Sequence, residues 1–249
     1  MATVPAKVET RLITGLKKFQ SILNTAKTKD INESDTVVIV TDILSELFGF
    51  DKYSEITSEY AIKKTFCDLA IKMDNKIRFL IEVKAIGLTL KEEHVKQAVD
   101  YGANAGVDWV ILTNGHIWKV YKIIFGKPIE NDLVYEFDIF NISVKRPDDL
   151  ELLYYVSKES LGKSILEDYH LQKQALSKYM IGQIILTEPV LETIRKTIKK
   201  ISPEIRITND DIFLVMSDVL KREVLEGDKV EEAKKKIIKA FKVTTKKEE

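Results

Sequence analysis

The chain has 249 residues, 45% hydrophobic and 31% charged, with 39 basic against 39 acidic side chains and a single cysteine, Cys67. That composition supplies a sizeable core, and one cysteine excludes an internal disulfide framework. The first twenty residues carry charges every few positions and no run of about 18 uncharged apolar residues occurs, so neither a secretory signal nor a membrane helix is expected and the cytoplasm is the expected compartment.

Residues 8–25 place Val8, Leu12, Ile13, Leu16, Phe19 and Leu23 on one helical stripe. Residues 33–48 form a second helix with Val37, Val40, Ile43, Leu44 and Leu47 on its buried side, and Gly49 caps it. The period then changes to two. "EITSEYAI", "KTFCDLAIKM" and "KIRFLIEVKA" read as three strands, with a tight turn at Asp74 between the last two. A helix runs from about Lys91 and stops at Gly102 or Gly106. "VDWVILTN" is a short apolar strand of the kind buried on both faces. Asn114-Gly115 marks a hairpin, followed by the strands "HIWKVYKIIF" and "DLVYEFDI". From about Arg146 helical spacing returns near 148–161, 163–185, 188–201 and 209–225, with a capping box at Thr208-Asn209-Asp210-Asp211, and the last residues are expected to fray. The fold class is therefore α/β: a mixed β-sheet flanked by helices, with a parallel crossover through the helix after the third strand and a C-terminal helical region. The boundaries read as 1–30 for an N-terminal helix, 31–146 for the sheet domain and 147–249 for the helical region.

Charge is unevenly spread. Residues 1–30 carry six Lys/Arg and two Asp/Glu (+4), residues 31–150 carry fourteen and twenty (−6), and residues 151–249 carry nineteen and seventeen (+2). An acidic middle suits a divalent cation, and the basic flanks suit a polyanion or a solvated helix face.

Three ionisable residues interrupt the apolar strands. Alternation puts Leu80, Glu82 and Lys84 on one face of their strand, and pairing with the preceding strand brings Asp68 near that face. Buried charges cost several kcal/mol each unless compensated. A Glu–Lys ion pair is one compensation. A pair of carboxylates asks for more, and a divalent cation such as Mg²⁺ supplies it, since that ion takes one or two carboxylates and completes its octahedron with water or phosphate oxygens.

An Asp, a turn, and then Glu-x-Lys on the next strand resembles the PD-(D/E)xK nuclease superfamily. More closely, the region from Glu33 to Tyr121 resembles the N-terminal nuclease domain of type I restriction enzyme motor (R) subunits. The matching elements run in order: "NESDT" with Glu33, "LFGFD", "SEY" with Glu59, "CDLAI" with Asp68, "IEVKA" with Glu82 and Lys84, "QAVDY" with Gln97 and Tyr101, and "WVILTNGHIWKVY". The family's Pro-Asp is Cys67-Asp68 here. Gly162-Lys163-Ser164 has Ser157 where a P-loop needs its first glycine, so a nuclease-like protein without the motor is expected.

The resemblance implies a restriction-endonuclease-like fold, an endodeoxyribonuclease in restriction–modification or mobile-element defence, and metal-assisted phosphodiester hydrolysis. It implies Mg²⁺, for which Mn²⁺ can substitute, held by Asp68, Glu82 and the Val83 carbonyl, with Lys84 orienting the attacking water. It further implies that Gln97 and Tyr101 look into the site and that Glu33 completes it. The alternative is a catalytically inactive nucleic-acid-binding or assembly module on the same fold, with these residues kept as an ion pair. DNA is the expected partner, through Arg195, Lys196, Lys199 and Lys200, or failing those near Lys63, Lys64, Lys91 and Lys96. A homo-oligomer or a protein partner is expected through the C-terminal helices. His94 and His116 read as surface histidines, His170 as part of the helical tail, and Trp109 and Trp118 as sheet core. No Cys/His cluster suggests a structural zinc.

Overall fold

A computed structural model describes residues 3–63 and 65–245. It divides into two compact units, residues 1–169 and 170–249. The division falls inside one helix, well after residue 147, where the sequence reading began the helical region.

The first unit is built on a six-stranded sheet in the order β1 (Ile56–Ile62), β2 (Thr65–Met73), β3 (Lys76–Val83), β4 (Trp109–Thr113), β5 (Ile117–Ile124), β6 (Glu130–Asp138). Every neighbouring pair is antiparallel except β3 and β4. A parallel pair needs a crossover, and α3 (Glu92–Ala105) provides it. The mixed sheet between helices is the expected restriction-endonuclease-like α/β architecture.

Each face of the sheet has its own core. On one side α1 (Ala6–Thr28), α2 (Glu33–Asp42) and α4 (Pro147–Tyr155) pack on the sheet. Leu12, Leu16, Phe19 and Leu23 there meet Leu69, Ile81, Ile111 and Trp118. The α1 stripe is thus buried as read, with Ile13 half-buried. On the other side Val95, Ala98 and Val99 of α3 meet Ala70, Leu80, Val110 and Leu112. α3 lies close to the sheet because Gly102 has no side chain. A Cβ there would press into Ile123 Cδ1 and sit 2.8 Å from the Val107 carbonyl. Gly106, at φ 68, then ends the helix in the left-handed conformation that glycine adopts freely. Both tryptophans are core, as expected, Trp109 8% and Trp118 0% exposed.

α2 passes without a break into a π-helical turn, Ile43–Leu47, which buries Ile43, Leu44 and Leu47. Gly49, at φ 87, closes it. α5 (Lys158–Gly162) and the start of α6 (Ile165–Ala175) complete this unit.

The second unit holds the rest of α6, α7 (Lys178–Ile185), α8 (Glu188–Ile201), α9 (Asn209–Val219) and α10 (Asp228–Thr245). The single helix read across 163–185 is interrupted, because Ser177 caps a new helix by accepting the Met180 N–H. The capping box at Thr208 and Asp211 forms as read. The C-terminal segment expected to fray is helical through Thr245, while residues 246–249 lie outside the described residues. No helix among the described residues is long and apolar enough to cross a membrane.

Candidate active site

The charged residues gather where β3 ends beside its parallel neighbour β4. Open α/β sheets expose a crevice at such strand ends. β2 and β3 are paired up to Leu69 opposite Ile81. The same register carried one step further sets Asp68 opposite Glu82, but there the two main chains part. Side chains take over the contacts. Val83 N–H donates to Asp68 Oδ2 at 2.7 Å, and Cys67 Sγ–H donates to the Ile81 carbonyl at 3.2 Å. On its other edge β3 stays bound to β4, and Lys84 N–H donates to the Thr113 carbonyl at 2.8 Å.

Glu82 is 2% and Lys84 8% exposed. Lys84 Nζ donates to Glu82 Oε1 at 2.6 Å and stands 3.8 Å from Glu33 Oε2. Glu82 Oε2 is buried without a hydrogen-bond partner. Burial, and then the Asp68 charge, push the Glu82 carboxyl up to about 7 in spite of Lys84. Burial also raises Asp68, against the Val83 N–H and Lys84, which lower it. Burial alone would lower Lys84; the hydrogen bond to Glu82 and the surrounding carboxylates reverse that and raise it. The site is thus short of positive charge: Asp68, Glu82 and Glu33 share one ammonium, and one Glu82 oxygen is unserved.

Glu33 arrives from the first turn of α2. Asn32 caps that helix, accepting the Asp35 N–H at 2.8 Å. Thr36, fully buried, accepts the Ile86 N–H at 3.2 Å through Oγ1 and so ties α2 to the chain just beyond β3. Asn114, 2% exposed, donates to the carbonyls of Leu88 at 3.0 Å and Ile86 at 3.4 Å. The residues that frame the end of β3 thus include two that the sequence reading passed over. Thr36 looks like any helix threonine. Asn114 was read only as a turn residue, and the available signal was a polar residue beside an apolar strand.

Gln97 and Tyr101 do meet each other: Gln97 Nε2 donates to Tyr101 Oη at 3.0 Å. Neither hydrogen-bonds to Asp68, Glu82 or Lys84. Glu59 lies exposed in β1 with φ 49. Arg195, Lys196, Lys199 and Lys200 are on α8 of the second unit. Glu192 engages two of them, at 2.9 Å from Lys196 and 3.7 Å from Arg195.

His116 and His94 depart from the sequence reading, while His170 lies in a C-terminal helix as read. His116 is 4% exposed, with Nδ1 3.1 Å from Asp138 Oδ1 and Nε2 3.2 Å from Lys27 Nζ. The turn that should have exposed it packs under α1 instead. His94 accepts the Lys91 N–H at 3.1 Å and its side chain is 13% exposed, so it caps α3 rather than lying on the surface. His170 is 6% exposed.

Residues 39–130 match the family model described as type I restriction enzyme R protein N terminus. The resemblance read from the motifs therefore holds for that segment. It contains Asp68, Glu82, Val83, Lys84, Gln97 and Tyr101, the strands β1 to β5 and the crossover helix, and stops at the first residue of β6. Glu33 lies before it and the α8 cations after it. No curated protein and no solved structure matches the chain.

Among the described residues no group of three or more His, Cys, Asp or Glu side chains is placed to hold a metal ion. The donor set is the pair Asp68 and Glu82. It fits a hard cation that takes one or two carboxylates and keeps water on its other positions. The partnerless, buried Glu82 Oε2 is the feature such an ion would satisfy.

Proposed function

We propose that the chain is a metal-dependent endonuclease acting on DNA, with Mg²⁺ as its cofactor. The observation that carries this reading is the unserved Glu82 Oε2 beside Asp68 and Lys84, in a segment matching the restriction-enzyme domain. A bound Mg²⁺ would activate water and polarise the phosphate. Asp68 and Glu82, with the Val83 carbonyl, would hold the ion. Loss of the Glu82 proton is part of making that site, because a carboxyl raised to about 7 binds a cation as its carboxylate. Lys84 would turn from Glu82 toward the attacked phosphate, orienting the water and stabilising the developing charge. Glu33 is close enough to Lys84 to hold its ammonium in place. Gln97 and Tyr101 would position the substrate as one hydrogen-bonded pair.

DNA contacts are assigned to Arg195, Lys196, Lys199 and Lys200, since the 31–150 region carries −6 and repels phosphate until a cation is bound. The C-terminal helices carry the protein contacts of this reading.

One feature favours the second reading, an inactive module: Lys84 Nζ is already paired with Glu82 Oε1 at 2.6 Å. Plasmid DNA incubated with Mg²⁺ or Mn²⁺ separates the two. Cleavage by wild type that Lys84→Ala loses supports the nuclease. DNA binding without metal-dependent cleavage, equal in both proteins, supports the module.

A further inference from the structure

Among the described residues with positive φ other than glycine, Glu59 alone lies inside a strand; Asp30, Lys63, Asp74, Asn75 and Ser164 occupy turns and connections. A side chain with a Cβ is strained in this region by roughly 1–2 kcal/mol, so something must hold Glu59 there.

Its place in the ladder says what. β1 and β2 are paired at Ser58 with Leu69 and again at Tyr60 with Cys67. The register is the same on both sides, which puts Glu59 across from Asp68, yet that pair is missing from the ladder. The two ends of the hairpin also serve different cores. Before the break, Ile56, Leu69 and Ile71 pack on the α1 and α2 side. After it, Ile62 and Cys67, with Tyr60, pack on the α3 side. In an unbroken strand Ile56, Tyr60 and Ile62 would share one face, so the hairpin turns over at Glu59 and Asp68. At the same point β2 leaves β3, and the Asp68 carboxylate takes the Val83 N–H that a continued ladder would have given to the main chain of Cys67.

We infer that Glu59 is a positioning residue: its left-handed backbone turns the end of the β1–β2 hairpin over and sets the Asp68 carboxylate at the Val83 N–H beside Glu82, while its own side chain takes no part. The consequence for metal binding rests on the proposed function; the consequence for Asp68 does not. Strain placed next to a working group is a recurrent way of orienting it.

The test uses the full chain with Glu59→Gly, Glu59→Gln and Glu59→Val. Two quantities are read: hydrogen exchange of the Val83 amide by NMR, and Mn²⁺ affinity by calorimetry. Glycine accepts positive φ freely and glutamine keeps the character of Glu59, so both should retain wild-type protection at Val83. Valine, β-branched, resists the conformation and should lose roughly tenfold in protection, with a matching loss of Mn²⁺ affinity. Wild-type protection in the Val variant would overturn the inference, and so would lost protection in the Gly and Gln variants, which would assign the role to the carboxylate. If the Val variant does not fold, the Gly variant decides: its Val83 protection and unfolding temperature must equal or exceed wild type, and a lower value of either overturns the inference. A wild type that binds no Mn²⁺ would sink the metal reading, and Val83 exchange would still judge Glu59.

Discussion

Lys84 donates to Glu82 at 2.6 Å, yet Glu82 is still driven toward its protonated form, because burial and Asp68 outweigh the one ammonium. The folded chain therefore keeps a proton between pH 4.5 and about 7 that the unfolded chain has released. This group's contribution therefore makes the metal-free protein less stable as pH rises through that window, and is constant above it. The full swing is on the order of 3 kcal/mol. Urea unfolding at pH 5 and pH 7.5 should show Glu82→Gln gaining on wild type at the higher pH. A stability difference between the two proteins that does not change with pH would defeat this account.

A cation at Glu82 must displace that proton. Mn²⁺ titrations near pH 6 are expected to release protons to the buffer, seen as heats that vary with the buffer's ionisation enthalpy, and apparent affinity should rise up to about pH 7. Asp68→Ala should abolish binding, and Glu82→Gln should weaken it strongly. Equal Mn²⁺ binding by wild type and Asp68→Ala would place the ion elsewhere.

His116 works in the opposite direction. Burial, together with Lys27, lowers its pKa against the pull of Asp138. In the neutral ring Nδ1–H donates to Asp138 and Nε2 accepts from Lys27. The unfolded chain takes up a proton below about pH 6.5, before the folded one does, so this group costs stability as pH falls from there. Because Glu82 and His116 oppose each other over part of the range, the wild-type curve alone separates neither. The difference between wild type and His116→Gln should shrink as pH falls from 7 to 5.5. A constant difference would mean that the His116 ring does not titrate in that interval.

Gly102 offers a test of the packing beneath the site. Alanine there would push against Ile123, Val110 and the Val107 carbonyl. Overpacking of this kind costs typically 1–3 kcal/mol, and relief by lifting α3 would carry Gln97 and Tyr101 away with it. Gly102→Ala should therefore lower the unfolding midpoint and reduce cleavage while leaving Mn²⁺ affinity near wild type, since Asp68 and Glu82 are on strands. Unchanged stability would show that α3 has room to spare.

The elements of the sheet were legible because their signals are local. Alternation in β2 and β3, the Asn114-Gly115 turn and the apolar run of β4 each fix an element within a few residues. Glu82 and Lys84 stood out because period two puts both on one face. What was hidden depended on contacts distant in sequence. His116 looked exposed beside a turn until α1 covered it. Thr36 and Asn114 gained their partners only when the chain beyond β3 passed between them. The flip at Glu59 has no sequence signature, since a glutamate in a strand gives no hint of a left-handed backbone. The helix α10 was not read at all, and Val230 and Ala233, both buried, anchor its start.

The four cations of α8 fall into two pairs. Glu192 holds Lys196 at 2.9 Å and Arg195 at 3.7 Å, whereas Lys199 and Lys200 are exposed and have no ion pair among the described residues. If this helix contacts DNA phosphates, the last two cations are ready and the first two must leave Glu192. Each contact to duplex DNA contributes a slope of about −0.9 in log affinity against log salt. Replacing Lys199 and Lys200 by Gln should thus weaken binding for every sequence and flatten the slope by roughly 1.8. Glu192→Gln should do the reverse, freeing Arg195 and Lys196 and removing an acid from the same face. Both variants should keep wild-type unfolding midpoints, because exposed ion pairs contribute little to stability. Fluorescence anisotropy with labelled duplexes at several salt concentrations would read all three proteins. Identical affinities and slopes would make α8 a solvated face and move the search to Lys63, Lys91 and Lys96, since Lys64 lies outside the described residues. Of these, Lys63 already donates to Asn104 at 2.8 Å, so Lys91 and Lys96, at the start of the crossover helix, would be the first to replace.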